Sequence, residues 1–242
     1  IPAHADMAAA LVGDDSIAII DTEAKKVTKT WKVTGAAGKI VGIDVRPADG
    51  MLYAVTSDGV IWTIDSAGKA TQKSKLDTAL PANATFSVDF NPVADRLRVI
   101  ASDGTNLRIN VDDGKVTTDG KLKFAETDMH KGETPKVVAG AYSNSIKGAK
   151  ETTLYDIDAA IGGLLRQAPP NDGVLNAIGK LGVSGPTYAF DIVSDGNGGN
   201  VGWLLSGRVL HKVDLATGKA TMLAKIDGLV ADARDIAVLP KM

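Results

Sequence analysis

Short apolar segments alternate with polar turns along the whole chain, and the clearest set lies between Val41 and Thr71. Residues 41–46 and 51–56 are predicted strands, because they are rich in apolar and aromatic residues and are divided by Pro47 and an Asp-Gly turn. A third strand covers residues 60–65. A fourth begins at Lys69, after Gly68, which can adopt the positive φ of a tight hairpin. The pattern predicts one four-stranded antiparallel unit.

Two sets of polar positions show that this unit recurs. The first set lies at the centre of each opening strand, at intervals of 44 to 51 residues: Asp44, Asp89, Gly140, Asp191 and Asp235. The second set ends each third strand: Asp21, Asp65, Asn110, Asp158 and Asp214. Five copies of each set predict five repeats, which is typical of a β-propeller.

The two ends of the chain supply complementary parts of one blade. Residues 8–12 form a second-strand candidate and residues 235–239 form a first-strand candidate. Their pairing would close the ring without leaving an exposed edge. We therefore predict an all-β fold, a five-bladed β-propeller of four-stranded blades. It comprises an N-terminal tail at 1–7 and a single domain at 8–242, with blades at about 8–33 plus 234–240, 39–76, 85–122, 137–183 and 188–228.

Composition excludes several classes of protein. The 27 basic and 29 acidic residues are interspersed, which argues against a nucleic-acid partner. There is no cysteine, so disulfides and thiolate sites are excluded, and no apolar run approaches the roughly 18 residues of a transmembrane helix. Ala3-His4-Ala5 resembles the small-x-small pattern before a signal-peptidase cut. We expect an exported protein, periplasmic or extracellular, with an ordinary N-terminal tail as the alternative.

The carboxylates of the opening strands are the sharpest chemical feature. These strands lie nearest the axis of a propeller, so the carboxylates should converge on the central channel. Either a hard cation such as Ca²⁺ or raised pKa values would relieve their repulsion. We favour a structural interpretation, in which each carboxylate accepts backbone N–H bonds from the adjacent blade. The candidate metal ligands are Asp44, Asp89, Asp191 and Asp235, and Gly140 interrupts the ring.

The residues that end the third strands have a simpler interpretation. Asp or Asn before a hairpin such as SAGKAT commonly accepts hydrogen bonds from the backbone of its own turn. We assign this set to local structure.

A second cluster lies in the third blade. Alternation places Arg96 and Arg98 on one face of their strand, and Asn106, Arg108 and Asn110 on one face of the next. We expect these arginines to meet carboxylates, with a ring aspartate as the leading partner. A site for an anion or a carboxylate-bearing sugar is the alternative.

The fourth blade carries a long loop at residues 164–173, LLRQAPPNDG, where the other blades have a short hairpin. Long loops often carry function, although a tolerated insertion explains this one equally well. The candidate ligand-binding residues are Arg96, Arg98, Asn106, Arg108 and, from this loop, Asn171.

Several segments resemble a known family. GIDVRPADGMLYAV, SVDFNPVADRLRVIASDGTNLRIN, QAPPNDG and VDLATGKAT are similar to the bacterial domain of unknown function 4394, over residues 40–239 or nearly so. The resemblance implies an exported, propeller-like protein. It implies no established activity and supplies no catalytic residues.

The sequence contains no catalytic signature of the common hydrolase or nucleotide-binding classes, such as G-x-S-x-G, a Walker loop or H-E-x-x-H. The leading hypothesis is a non-enzymatic exported binding module for a protein, a glycan or a surface component. A Ca²⁺-binding or metal-stabilised propeller is the first alternative. A carbohydrate-active hydrolase that uses axial carboxylates is the second.

Overall fold

Five β-sheets arranged in a ring make up the part of the chain that the computed structural model describes, residues 6–241. Each sheet is one blade, and its strands run in order from the axis to the rim. In blade 1 the order is β21-β1-β2-β3, with β1 at Met7–Val12, β2 at Ser16–Asp21, β3 at Lys26–Lys32 and β21 at Ala233–Val238. The predicted closure of the ring by the C-terminal strand is confirmed.

Three of the other blades are simple meanders. Blade 2 contains β4 (Ile40–Val45), β5 (Leu52–Thr56), β6 (Val60–Ile64) and β7 (Ala70–Lys75). Blade 3 contains β8 (Phe86–Asn91), β9 (Arg96–Ala101), β10 (Asn106–Ile109) and β11 (Val116–Thr118). Blade 5 contains β17 (Tyr188–Ser194), β18 (Asn200–Ser206), β19 (Val209–Val213) and β20 (Ala220–Lys225).

Blade 4 has one strand more than the prediction of four. Its meander is β13 (Val137–Tyr142), β14 (Leu154–Asp158), β15 (Gly163–Gln167) and β16 (Val174–Lys180). The chain leaving blade 3 adds β12 (Lys123–Phe124), which pairs in parallel with β16. The predicted loop at residues 164–173 was wrong in its first part, because residues 164–167 belong to β15. The loop itself, residues 168–173, contains a single 3₁₀ turn, Pro170–Asp172. Blades 3 and 4 are therefore joined by backbone hydrogen bonds at the rim as well as by packing.

The hydrophobic core lies between the blades, because both faces of each sheet are covered by its neighbours. Between blades 2 and 3, for example, the rings of Tyr53 and Phe90 meet edge to face with centroids 5.1 Å apart. Ile43 and Leu11 belong to a similar cluster between blades 1 and 2. Burial on both faces explains why the inner strands are almost continuously apolar.

The turn residues act largely as predicted. Gly68 has a φ of 81° at the hairpin between β6 and β7. Asp65 Oδ1 accepts the N–H groups of Ala67 and Lys69 in the same hairpin, at 2.9 and 3.0 Å. Asp21, Asn110 and Asp214 make equivalent local bonds at the ends of other third strands.

Asp158 is the exception, because it ends β14, the second strand of blade 4. The sequence prediction placed it on a third strand and was wrong there. The segment 143–153 between β13 and β14 is longer than the corresponding turns, so the spacing no longer identified the strand. Asp158 still accepts N–H groups from its own turn, those of Ala160 and Ile161.

Within residues 6–241 there is no helix of the length and apolarity needed to cross a bilayer. The pattern Ala3-His4-Ala5, on which the expectation of export rests, lies outside the described residues. β1 begins at Met7, one residue earlier than predicted.

We expect a chain that ends at residue 231 to lose the native fold, because β1 would then have an unpaired edge on the axis. A synthetic peptide of residues 230–242 added in trans should restore the thermal transition seen by circular dichroism. An unchanged melting temperature in the truncated chain would show that closure by β21 contributes nothing to stability.

Candidate functional site

The four predicted carboxylates surround the axis on the innermost strands β4, β8, β17 and β21 and are at most 6% exposed. Each accepts a hydrogen bond from a backbone N–H of the following blade. The bonds are Phe90 N–H to Asp44 (2.7 Å), Tyr142 N–H to Asp89 (2.8 Å), Val238 N–H to Asp191 (2.7 Å) and Ile43 N–H to Asp235 (2.9 Å). These bonds tie each blade to the next, as the structural interpretation expects.

The fifth member of the ring is Ala141 and not Gly140. Ring aspartates face the following blade, but a Cβ atom at Gly140 would point back to blade 3, 3.2 Å from Ser87 Oγ. Ala141 instead packs into the cluster that contains Phe190 of blade 5. The alignment of the repeats was wrong by one residue here, because no acidic residue marks the position.

The seam between blades 4 and 5 is held by amides in place of a carboxylate. Asn200 Oδ1 accepts the N–H of Asn144 at 2.9 Å, and Asn200 Nδ2 donates to Asn144 Oδ1 at 3.0 Å. Ser145 Oγ donates to the carbonyl of Ile192 at 2.9 Å. Every seam of the ring therefore contains a polar link near the axis.

Three of the ring carboxylates converge. One oxygen each from Asp44, Asp89 and Asp191 lies within 4.8 Å of the other two, whereas Asp235 does not belong to this group. Ca²⁺ takes six to eight oxygen ligands. The three residues would supply only part of such a shell, and one oxygen of each already accepts a backbone N–H. The metal site stays a prediction.

Burial sets the protonation of this group. Desolvation raises the pKa of Asp191 to about 7. It also raises the pKa of Asp44 and of Asp89 well above the ordinary value, and repulsion from the neighbouring ring carboxylates adds to the effect. Raised pKa values favour the protonated, uncharged form of these side chains, which lessens the repulsion.

The axis opens at both faces of the disc. The basic funnel, a cavity of about 690 Å³, lies where the innermost strands begin and receives residues from all five blades. Its cationic lining residues are Lys39, Lys136 and Arg234. The second cleft, of about 420 Å³, lies at the opposite mouth, and its lining carries charges of both signs: Asp44, Asp191 and Asp195 with Arg46, Lys147 and Lys241. The basic funnel differs from it in having lining charges of one sign.

The predicted ligand-binding residues form a network between blades 3 and 4. Arg98, only 3% exposed, donates to Asp119 (2.6 Å), Asn106 (3.0 Å), Asn171 (2.6 Å) and the Tyr142 hydroxyl (3.2 Å). Its carboxylate partner is Asp119, so the expectation that a ring aspartate pairs with it was wrong. Asn171 projects from the long loop of blade 4, which this bond anchors to blade 3.

The other two arginines make simpler contacts. Arg108 pairs with both oxygens of Asp119, at 3.0 Å each. Arg96 donates to the carbonyls of Ala94 and Asp95 in its own turn. Arg96, Arg98 and Arg108 also line one narrow gap at this seam. The role of these residues in binding a ligand stays a prediction, whereas their structural role is visible.

Asp156 is a buried carboxyl that the sequence analysis did not identify. It lies opposite Gly140 in the sheet, is 0% exposed, and both its oxygens lack a hydrogen-bond partner among the described residues. Desolvation raises its pKa to about 8, although the positive charge of Arg98 opposes the shift. A Cβ atom at Gly140 would lie 2.6 Å from Asp156 Oδ1, so glycine is required beside it.

Comparison with known proteins agrees with the architecture. The model of a family described as Domain of unknown function (DUF4394) matches residues 16–237. The chain belongs to this family. No curated protein matches it in sequence.

Solved structures share the fold of this DUF4394 protein at low sequence identity. A protein of unknown function from Bacteroides thetaiotaomicron is 16% identical with a TM-score of 0.58, and the match covers 98% of this chain and 65% of that one. A chain of a nidogen–laminin complex is 13% identical with a TM-score of 0.54, covering 97% and 98% of the two chains. At these identities the comparison supports the fold alone.

Sequence reasoning missed the cations of the basic funnel. Lys39 and Lys136 each immediately precede an innermost strand, and Arg234 is the second residue of another. A comparison of the residues that precede the innermost strands would have revealed the two lysines of this DUF4394 protein, but not Arg234, which lies inside its strand.

We expect Asp89→Ala to lower the free energy of unfolding by about 1–3 kcal/mol, because the buried Tyr142 N–H loses its acceptor. Asp89→Asn should lower the free energy of unfolding by less, because the amide oxygen can still accept that hydrogen bond. Urea denaturation measures both, with and without Ca²⁺. A melting temperature that rises with Ca²⁺ and falls with EDTA only in the wild type would instead support a metal site.

We expect the free energy of unfolding to fall as the pH rises from about 4 to about 8. The pKa of Asp156 is raised in the folded state, so this carboxyl stays protonated there after it has ionised in the unfolded chain, and stability is lost as the pH passes through the folded pKa. Asp156→Asn should therefore be more stable than the wild type at pH 9 and similar at pH 4.

The control for this comparison is Glu23→Gln, in an exposed turn. It should leave the pH profile from urea denaturation unchanged. An Asp156→Asn profile that runs parallel to that of the wild type would contradict the assignment of the pH dependence to this carboxyl.

Proposed function

We propose that this propeller is an exported binding module whose ligand, a glycan or a segment of a protein, occupies the basic funnel. The observation that carries the proposal is the funnel itself: a cavity of about 690 Å³ on the axis, to which every blade contributes. Cavities of roughly 300–1,000 Å³ are typical of ligand sites in proteins.

The lining of the funnel suits a ligand with both apolar and polar groups. Two connections between blades form opposite walls: residues 80–85 on one side and 185–188 on the other. They bring Leu80, Pro81 and Pro186 together with the hydroxyl-bearing Thr85 and Tyr188. Apolar walls with a few polar groups provide affinity and orientation, respectively.

The hydrolase alternative draws on Asp44 and Asp191, which line the second cleft. Backbone N–H groups of neighbouring blades hold both carboxylates, which gives them a clear role in the fold. A general acid and a nucleophile that are free to reach a sugar would not need these interblade bonds. This geometry favours binding over hydrolysis.

We expect Ala82→Trp to abolish ligand binding, because Ala82 is an exposed lining residue and an indole ring there would fill the mouth of the funnel. The measurement is a screen of labelled protein against an array of oligosaccharides and an array of short peptides. The class that binds the wild type should fail to bind the variant.

The matched control is Ala67→Trp, in an exposed hairpin of blade 2 outside the funnel. It should bind as the wild type does. If Ala82→Trp retained binding to the same array members, the ligand would lie elsewhere on the propeller and the proposal would be wrong.

A further inference from the structure

We infer that the ligand of the basic funnel carries at least two carboxylate groups and that Arg234 binds one of them. This inference rests on the proposed function, because it specifies the ligand class for the same cavity. It follows from the charges in the funnel, the hydrogen bonds of Arg234 and the remaining polar lining.

The charges of the funnel are all of one sign. Lys39, Lys136 and Arg234 come from blades 2, 4 and 1, and no Asp or Glu is among the lining residues in the described part of the chain. Cations that converge in a concave site repel one another and raise the local concentration of anions. The arrangement is stabilised when an anion enters.

Arg234 has a fixed orientation and one nitrogen, Nη1, that makes no hydrogen bond to a described residue. Its Nε donates to the carbonyl of Gly13 at 2.8 Å, and Nη2 donates to the carbonyls of Gly13 and Ile40. No described residue accepts a hydrogen bond from Nη1, and within residues 6–241 no carboxylate forms a salt bridge with this guanidinium. Nη1 is therefore the nitrogen left to donate to a carboxylate, in a charge-assisted hydrogen bond.

The surroundings of Arg234 leave its charge largely uncompensated. Burial lowers its pKa, and the carboxyl groups that act on it are those of Asp14 and Asp235. Asp235 already accepts the N–H groups of Ile43 and Ile236, and desolvation raises its pKa. Asp14 is exposed and is not among the residues that line the funnel. An added carboxylate would therefore supply the missing counter-charge.

The two lysines extend the positive region around the mouth. Lys39 Nζ lies 3.9 Å from Asp14 Oδ1, and both side chains are more than half exposed, so this pair is weak. Lys136 forms no salt bridge within the described residues and is exposed. With cations on three blades, a ligand with several carboxylates makes more contacts than one with a single carboxylate.

The rest of the lining favours a sugar acid over a purely acidic peptide. Ser57, Asn83, Thr85 and Tyr188 are short or rigid polar groups that can bond to hydroxyls. An oligouronide has both hydroxyls and carboxylates. An oligoglutamate has the same carboxylates without the hydroxyls, so the two probes distinguish the sources of the shared chemistry.

The experiment is isothermal titration calorimetry at low ionic strength with three probes: trigalacturonate, its fully methyl-esterified form and triglutamate. We expect trigalacturonate to bind at least about tenfold more tightly than its ester, and the difference to shrink as salt is added. We expect triglutamate to bind more weakly than trigalacturonate. Lys136→Gln should weaken the binding of trigalacturonate severalfold, and Arg234→Gln should remove it.

Two controls separate charge in the funnel from charge elsewhere and from loss of fold. Lys115→Gln and Lys219→Gln remove the same charge from exposed outer hairpins and should leave the affinity unchanged. Arg234→Lys keeps the charge but loses the bonds from Nε and Nη2 that fix the side chain, and it should bind with intermediate affinity. Circular dichroism of every variant verifies the fold, because Arg234 also holds the carbonyls of Gly13 and Ile40.

Equal affinity for trigalacturonate and its ester would overturn this inference and leave the proposed binding site intact, provided that Ala82→Trp abolishes both. No binding of either carboxylate probe, or binding that Lys136→Gln and Arg234→Gln leave unchanged, would also overturn it. Tighter binding of triglutamate would overturn the preference for a sugar acid and support the requirement for carboxylates.

Discussion

The hydrogen bond from a carboxylate at the axis to a backbone N–H of the next blade is the interaction on which the ring depends. An innermost strand pairs with only one strand of its own sheet, so its other edge faces the channel with free N–H and C=O groups. Asp44, Asp89, Asp191 and Asp235 satisfy part of that edge. A single residue type thereby accepts backbone N–H groups at the axis and fixes the rotation between neighbouring blades.

This solution carries an electrostatic cost. Four carboxyls on a narrow axis are withdrawn from water, and burial raises the pKa of each above its ordinary value. At the fifth position of the ring Ala141 stands in place of a carboxylate, which limits the repulsion. The amides of Asn144 and Asn200 link the two blades at that seam. One seam without a carboxylate is therefore consistent with the repulsion among the carboxyls of the other four seams.

The architecture could be predicted from sequence because the repeat is local. Gly68 and Asp65 mark a hairpin by their own conformations and bonds, and the spacing of the aspartates counts the blades. In the fourth blade the prediction was wrong at Asp158 and at Gly140. The longer segment between β13 and β14 changed the spacing that had placed Asp158, and no carboxylate marks the ring position of the opening strand. The contacts of Arg98 were also out of reach, since Asp119 and Asn171 are brought to it by two loops that no periodicity describes. The cations of the basic funnel meet only when the ring closes, so no single repeat reveals them.

The short strand β12 has a consequence for the rim of the disc. Every propeller blade ends in an outer strand whose free edge can pair with an extended segment of another chain. In β3 and β7 lysines lie along that edge, as in KVTKTWK and ATQKSK, and charged side chains of this kind discourage such pairing. The outer strand of blade 4, VLNAIGK, has a lysine only at its end. β12 covers its first residues, Val174 and Leu175, with the protein's own backbone. Association at the rim is thus limited in two ways in these blades, by charge along β3 and β7 and by a covering strand on β16.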